Sequence, residues 1–500
     1  MSENGVKRLN AATLGQLPAE IRRPSYPVQA AAIGVVHLGV GSFFRAHQAV
    51  YLDEAMNGGA TGWGVCGVSL RNPETRDALQ AQDGYYTLIE RDAAGARARV
   101  VGSLRELLVA PENPAMVIGR IAASSTHWVT LTITEKGYGH DAGSSDKVRL
   151  DPAHPDIAHD LANPVTPRSA VGLLHAAVVQ RRRARLDGLT ILSCDNLSCN
   201  GDLLRELLLQ FDNTLEAGSS RTAGWIDEHL RFPNTMVDRI VPRTTNAERA
   251  LAQELLGMTD AWPVITEPFR QWVIEDRFAG PRPPLAQSGV QIVPDVRPFE
   301  SMKLRLLNAA HSALAWLAVP AGLSTVDQAI ADPGIRRFIE ALWREEVIPG
   351  LDPDVIGAAP DYCSRLLARF ANPGLAHLTA QIAMDGSQKL PLRILPSIRA
   401  NLSLGLPIER LALVVAAWIR YLGGVDERGL PFLPDDPLRE RLQCIAAASD
   451  SGAAARGILA EQSVFGELAG NEVLAANVGQ WLERLRKRGT CALLNETRPR

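Results

Sequence analysis

Within the stretch "MKLRLLNAAHSALAWL" (302–317), an amine, an amide and an imidazole stand among leucines and alanines: Lys303, Asn308 and His311. Together these types suit carbonyl–carbinol chemistry. An amine exchanges a proton with a hydroxyl, an amide N–H stabilises a developing alkoxide, and an imidazole orients the same oxygen. On a helix turning about 100° per residue, His311 falls about 80° from Lys303 and Asn308 about 140°. Leu307, Ala310, Leu314 and Leu317 cluster on the lysine's side, so the amine shares the apolar face. Two readings stay open on spacing alone. Either Lys303 snorkels from the helix start while Asn308 and His311 cap something nearby, or the leucines desolvate the amine and ease its deprotonation.

Companions for that chemistry sit near predicted strand ends. Asn196 closes "SCDN", Asp238 lies in "FPNTMVDRI", and Glu300 precedes Lys303 by three residues. Each has an ordinary alternative: a turn asparagine, a salt-bridged aspartate, an N-cap glutamate. Open α/β sheets nevertheless place their ligands just beyond strand ends. A strand, "GVG" and a helical pattern meet at 39–41, as a dinucleotide site requires. There Gly39 would allow the tight turn and Gly41 a close approach to pyrophosphate. The third glycine of the usual fingerprint is replaced by Phe44, so the turn is also compatible with an ordinary strand–helix connection. After the second strand, Glu74 in "LRNPETRD" is the nearest acceptor for ribose hydroxyls, with Arg71 beside it. That favours NAD and leaves NADP open.

The elements that must carry these residues follow from periodicity. Buried β-runs are expected at 31–38, 63–70, 127–138 and 188–196, with an amphipathic helix over 169–185. Such alternation implies an α/β fold with a parallel sheet. After the Pro/Gly-dense "FAGPRPPLAQSG" one more strand fits 290–296, and then almost every pattern is helical: 302–317, 324–347, 361–371, 375–384, 409–423 and 454–486. The expected organisation is an α/β domain with a parallel sheet over 1–296 and a helical domain over 297–500. Residues 1–30 read as an irregular lead-in, and the tail "NETRPR" as solvated.

Composition narrows the class. The chain has 500 residues, 46% hydrophobic and 21% charged, with net charge -3, so neither nucleic acid nor an anionic membrane is an expected partner. Six scattered cysteines without a C-x-x-C pair suggest neither a disulfide framework nor a metal knuckle. "MSENGVKRLN" lacks an apolar signal core, and "LALVVAAWI" (411–419) is too short for a bilayer, which needs about 20 apolar residues. A soluble, cytoplasmic protein is expected, with monomer as the default.

Seven segments in colinear order resemble the polyol-specific long-chain dehydrogenases, the mannitol dehydrogenase family. They are "HLGVGSFFRAHQAVYLDE", "LTITEKGY", "SCDNLSCNG", "FPNTMVDRIVP", "EPFRQWVIED", "MKLRLLNAAHSALAWL" and "QIAMDGSQKLP". The resemblance implies that 1–296 is a Rossmann-type NAD-binding domain and 297–500 a helical substrate and catalytic domain. It also implies metal-independent hydride transfer with NAD(H) between a ketose or keto-uronate and its polyol or aldonate. By the matching motifs, Lys303 would be the general acid/base, Asn196 and Asn308 the oxyanion donors, and His311 a substrate-orienting group. Asp238 would support the substrate site and Glu300 would gate proton exchange. Gly39, Gly41, Phe43, Arg45, Glu74 and Glu135 would surround the cofactor.

Departures bear on substrate. "NAAHS" replaces a commoner "NGSHS", and Gln381 stands where a mannitol-oxidising relative would have arginine. With "QIAMDGSQKLP" and "EPFRQWVIED" this favours the fructuronate reductase (D-mannonate oxidoreductase) branch, with mannitol 2-dehydrogenase as the alternative. Arg243 or Lys389 would then meet a substrate carboxylate, unless either is an ordinary surface charge. A nucleotide-binding sensor without turnover is the reading from another class. A short-chain dehydrogenase is disfavoured, since no Tyr-x-x-x-Lys occurs.

Overall fold

The computed structural model describes residues 6–140, 148–215 and 221–496. The last residues of the tail, 497–500, lie outside that range. The chain forms two compact units, Met1–Arg297 and Pro298–Arg500.

Among the described residues the first unit carries twelve strands. They are β1 (Ile33–Leu38), β2 (Gly64–Ser69), β3 (Tyr86–Asp92), β4 (Gly95–Val101), β5 (Leu104–Val109) and β6 (Trp128–Leu131). The rest are β7 (Leu189–Ser193), β8 (Leu230–Arg231), β9 (Thr235–Asp238), β10 (Val264–Thr266), β11 (Gln271–Glu275) and β12 (Gln291–Val293). Six of them make one sheet in the order β5-β2-β1-β6-β7-β8, with every neighbouring pair parallel. Strands β2, β6 and β7 are buried along their whole length, which is why they read as continuous apolar runs. The order reverses between β1 and β6, where a doubly wound sheet opens a crevice beyond its carboxyl ends.

Two three-stranded sheets were not expected, β10-β3-β4 and β12-β11-β9. The β3–β4 hairpin turns at Gly95, whose φ of +125° a side chain would resist. The lead-in is irregular as expected, but it is packed: Leu9, Leu17 and Ile21 are buried.

The second unit is helical. Its expected helix over 324–347 breaks at Asp332, whose carboxylate caps the N–H groups of Gly334 and Ile335 while Pro333 opens the next helix. The expected helix over 454–486 divides into Ser451–Leu459, Gln462–Phe465 and Glu472–Arg488, with Gly466 and Gly470 at positive φ between them. "LALVVAAWI" lies inside the buried helix Glu409–Leu422, packed by Trp316 against Trp418 at 6.3 Å. Among the described residues no helix is long and apolar enough to cross a membrane.

Candidate active site

A cavity of about 280 Å³ opens at the reversal of the sheet. Gly39, Val40 and Gly41 after β1, Ser69 to Asn72 after β2 and Thr132 to Thr134 after β6 line it. The two glycines differ in what demands them. Gly39 has φ +94°, and a Cβ there would stand 2.2 Å from the Thr132 carbonyl oxygen, so the fold itself requires glycine. A Cβ on Gly41 would meet only the Gly39 carbonyl oxygen at 3.8 Å. Nothing in the chain forbids a side chain at Gly41, and its absence keeps the backbone open to a ligand, as a pyrophosphate site needs.

The strand ends around the cavity are fixed by buried polar groups. His37, in β1, lies 2.7 Å from Thr130 Oγ1 and 2.9 Å from Thr132 Oγ1, and burial pushes its imidazole down to about 3. Thr134 sits at φ +64°, an unfavourable place for a β-branched residue. Asp195 holds it there: its carboxylate accepts the N–H groups of Ile133 at 2.9 Å and Thr134 at 3.0 Å, and the Tyr138 hydroxyl at 2.7 Å. Asp195 lies in "SCDN", the motif that drew attention to Asn196, but nothing in its spacing announced this role.

Of the six residues expected around the cofactor, only Gly39 and Gly41 line this cavity. Phe43 instead stacks on His47 with ring centroids 5.1 Å apart. Arg45 is buried, donates to the Trp262 carbonyl and lies over the Tyr86 ring at 5.4 Å, so its charge serves the core. Glu74 is exposed at the first turn of the helix Glu74–Gln80, where the helix dipole favours a carboxylate. Glu135 is exposed in the 3₁₀ turn Glu135–Tyr138. The charged groups that do line the cavity are Arg71, Asp156 and Arg168, with Arg71 and Asp156 paired at 2.9 Å. Spacing along the chain could not find the last two, which come from a distant connection.

Asn196 is exposed in the loop after β7, and Asp238 is the buried last residue of β9. In the second unit, the helix containing Lys303 departs from the expected geometry. After Arg297–Met302, which carries Glu300 one turn before the lysine, residues Lys303–Asn308 form a π turn. The regular helix then resumes over Ala309–Ala321. The Ala309 N–H reaches back to the Leu304 carbonyl, a step of five residues. In such a turn, with i→i+5 bonding, residues five apart lie closer in angle than on an α-helix. Lys303 and Asn308 are five apart, and His311 follows Asn308 by the three that make helical neighbours. The 140° offset expected for Asn308 was therefore too large, because it assumed an unbroken α-helix.

The π turn is held from outside. The Trp343 indole N–H donates to the Leu306 carbonyl at 3.1 Å, and Arg305 donates from Nε to Ser397 Oγ at 2.9 Å. Lys303 and His311 are both buried. His311 packs on Phe370 at 4.6 Å and edge-on to His377 at 5.6 Å. Burial holds its imidazole well below the ordinary range, aided by His377, Arg369 and Arg393, so it is neutral near pH 7. Its Nε2 is buried with no hydrogen-bond partner among the described residues, a condition native proteins rarely keep without a use. Lys389 is spent on the carbonyls of Ile382 and Met384, and Arg243 is exposed. Among the described residues no group of three or more His, Cys, Asp or Glu could hold a metal ion.

Two family models cover most of the chain: the mannitol dehydrogenase Rossmann domain over residues 33–287 and the mannitol dehydrogenase C-terminal domain over 295–486. The chain belongs to the mannitol dehydrogenase family. It is 41% identical to a mannitol 2-dehydrogenase of Phaeosphaeria nodorum over 98% of this chain and 86% of that one. Among solved structures, the Pseudomonas fluorescens mannitol 2-dehydrogenase in ternary complex with NAD and D-mannitol matches with TM-score 0.83 and 38% identity, over 98% and 99% of the two chains. A substrate-free D-sorbitol dehydrogenase matches with TM-score 0.90 and 31% identity, over 97% and 100%. These three proteins are named for hexitols. The fructuronate expectation, which rested on Gln381 and its neighbours, is accordingly the less supported of the two.

Proposed function

We propose that this chain is an NAD-dependent polyol dehydrogenase interconverting D-mannitol and D-fructose. The likeness to mannitol 2-dehydrogenases over nearly the whole chain carries the reading. The glycine turn at the sheet reversal suits a dinucleotide, since Gly41 leaves its backbone open beside a cavity of fitting chemistry. On this reading the first unit binds the dinucleotide and the second supplies the acid/base. Gly39 and Gly41 would hold the dinucleotide, which would supply the hydride acceptor for the carbinol carbon.

The chain's own residues handle the proton and the oxygen. In polyol oxidation neutral Lys303 takes the hydroxyl proton as the carbon–oxygen double bond forms; in ketose reduction the ammonium returns it. Asn308 donates to the oxygen while it carries alkoxide charge. His311, neutral and with Nε2 unspent, binds the same or the neighbouring hydroxyl. Asp238 supports the substrate site and Glu300 relays the lysine's proton to solvent.

Steady-state assays with D-mannitol, D-sorbitol, D-fructose and D-fructuronate test the assignment. D-mannitol and D-fructose are expected to give the highest kcat/KM. Lys303→Ala is expected to lower kcat about 10²- to 10⁴-fold with NADH affinity unchanged, and polyol oxidation in the wild type should accelerate as pH rises. Full activity in Lys303→Ala would remove the lysine from its role. NADH binding with no turnover of any sugar would favour a sensor.

A further inference from the structure

We propose that the cavity also admits the 2′-phosphorylated dinucleotide, NADP(H), with Arg71 and Arg168 as anchors of the added phosphate; this rests on the reading of the cavity as the dinucleotide site. In a doubly wound sheet the residue just beyond the second strand reads the adenosine ribose. A carboxylate there accepts from the 2′-hydroxyl, and an arginine nearby accommodates a 2′-phosphate. Here the cavity wall beyond β2 is Ser69, Leu70, Arg71 and Asn72, with no acid among them. Glu74, the acid nearest in sequence, is exposed on its helix and outside the lining.

The carboxylate that does face this space, Asp156, arrives from another connection and is already paired to Arg71 at 2.9 Å. Arg71 is 70% exposed in that pair, and such pairs are worth about 1 kcal/mol or less. A phosphate carrying close to two charges and three acceptor oxygens competes effectively for the guanidinium. Arg168 reaches the same cavity just before the helix Ala170–Arg183, whose first turn is capped by the Ser169 side chain on the Gly172 N–H. Two guanidinium groups against one carboxylate leave this wall net positive. Without the phosphate, Asp156 remains available to accept from ribose hydroxyls, so one wall serves both forms.

Titration calorimetry with ADP-ribose and 2′-phospho-ADP-ribose tests this without turnover. The wild type is expected to bind the two within about tenfold of each other. Arg71→Ala should weaken the phosphorylated ligand about tenfold or more and leave ADP-ribose nearly unchanged. Asp156→Asn should tighten the phosphorylated ligand by freeing Arg71. If the wild type bound ADP-ribose but the phosphorylated ligand about a hundredfold less tightly, or if Arg71→Ala weakened both alike, the proposal would be overturned. If neither ligand bound, the assignment of the cavity to a dinucleotide would fail first, and this inference with it.

Discussion

The Phe44 ring lies flat on the His37 ring, with centroids 3.5 Å apart and planes inclined by 11°. Phe44 is fully buried at the position where the usual dinucleotide fingerprint has its third glycine. That glycine ordinarily lets a long helix pack close to the strand. Here the helix Ser42–Ala46 has only five residues, and a ring fills the space instead. Restoring the fingerprint with Phe44→Gly is therefore expected to cost about 3–5 kcal/mol of stability without tightening NADH. Urea unfolding and fluorescence titration check the two halves; an unchanged unfolding midpoint would contradict the packing role.

The two glycines of the turn should separate. Gly39→Ala places a methyl against the Thr132 carbonyl at an unfavourable φ, so loss of folded protein or a large fall in Tm is expected. Gly41→Ala meets only an ordinary contact with the Gly39 carbonyl oxygen at 3.8 Å and should fold with nearly wild-type Tm. Its NADH affinity should nevertheless drop about tenfold or more, because a methyl intrudes where the pyrophosphate approaches. Equal affinity in Gly41→Ala and wild type would place the pyrophosphate elsewhere.

Trp343 supports the π turn through a single hydrogen bond to the Leu306 carbonyl. Trp343→Phe keeps most of the apolar volume and removes the donor. It should cost about 1–3 kcal/mol and, by letting Lys303 and Asn308 drift out of line, lower kcat more than it alters the KM for NAD. Destabilisation with kcat intact would mean that the indole serves packing alone.

Acid should destabilise the protein through its buried imidazoles. Burial lowers both His37 and His47 from 6.5 to about 3, and shifts His311 in the same direction. Below pH 6.5 the unfolded chain takes up protons that the folded one refuses, so stability falls as pH drops from about 6.5 towards about 3. Each of these groups contributes up to about 1.4 kcal/mol per pH unit. Comparing urea midpoints at pH 7 and pH 5 isolates this effect from most carboxylates. Equal midpoints at the two pH values would count against neutral burial, and His37→Gln should shrink the difference.

Much of the first unit was legible because parallel strands buried on both faces spell themselves as apolar runs. β1, β2, β6 and β7 lie where those runs are, and Gly39 and Gly41 stand at the turn the pattern marked. The hairpin of β3 and β4 escaped because its tip, "ERDAAGARAR", is polar, and the buried runs Tyr86–Ile89 and Arg99–Val101 on either side of it are short. Site residues were harder for a different reason. Arg45 and Glu74 sit at the right places in sequence, yet the core takes the first and solvent the second. Arg168 and Asp156 reach the cavity, and Asp195 pins its wall at Ile133 and Thr134, through tertiary contacts that no local spacing records. The helix of Lys303 was visible, but a π turn changes the angle between side chains without changing composition, so no periodicity count could detect it.

A π turn is, in effect, a helix that has accepted one residue too many. Removing one residue between Lys303 and Asn308 would restore α-helical spacing and leave the amine and the amide four apart, still on one face. One flank of the helix would then swing by about 100° against the other. The cost of such a deletion would therefore fall on the buried Leu306 and Leu307 and on the contacts from Trp343 and Ser397, not on the pairing of amine and amide.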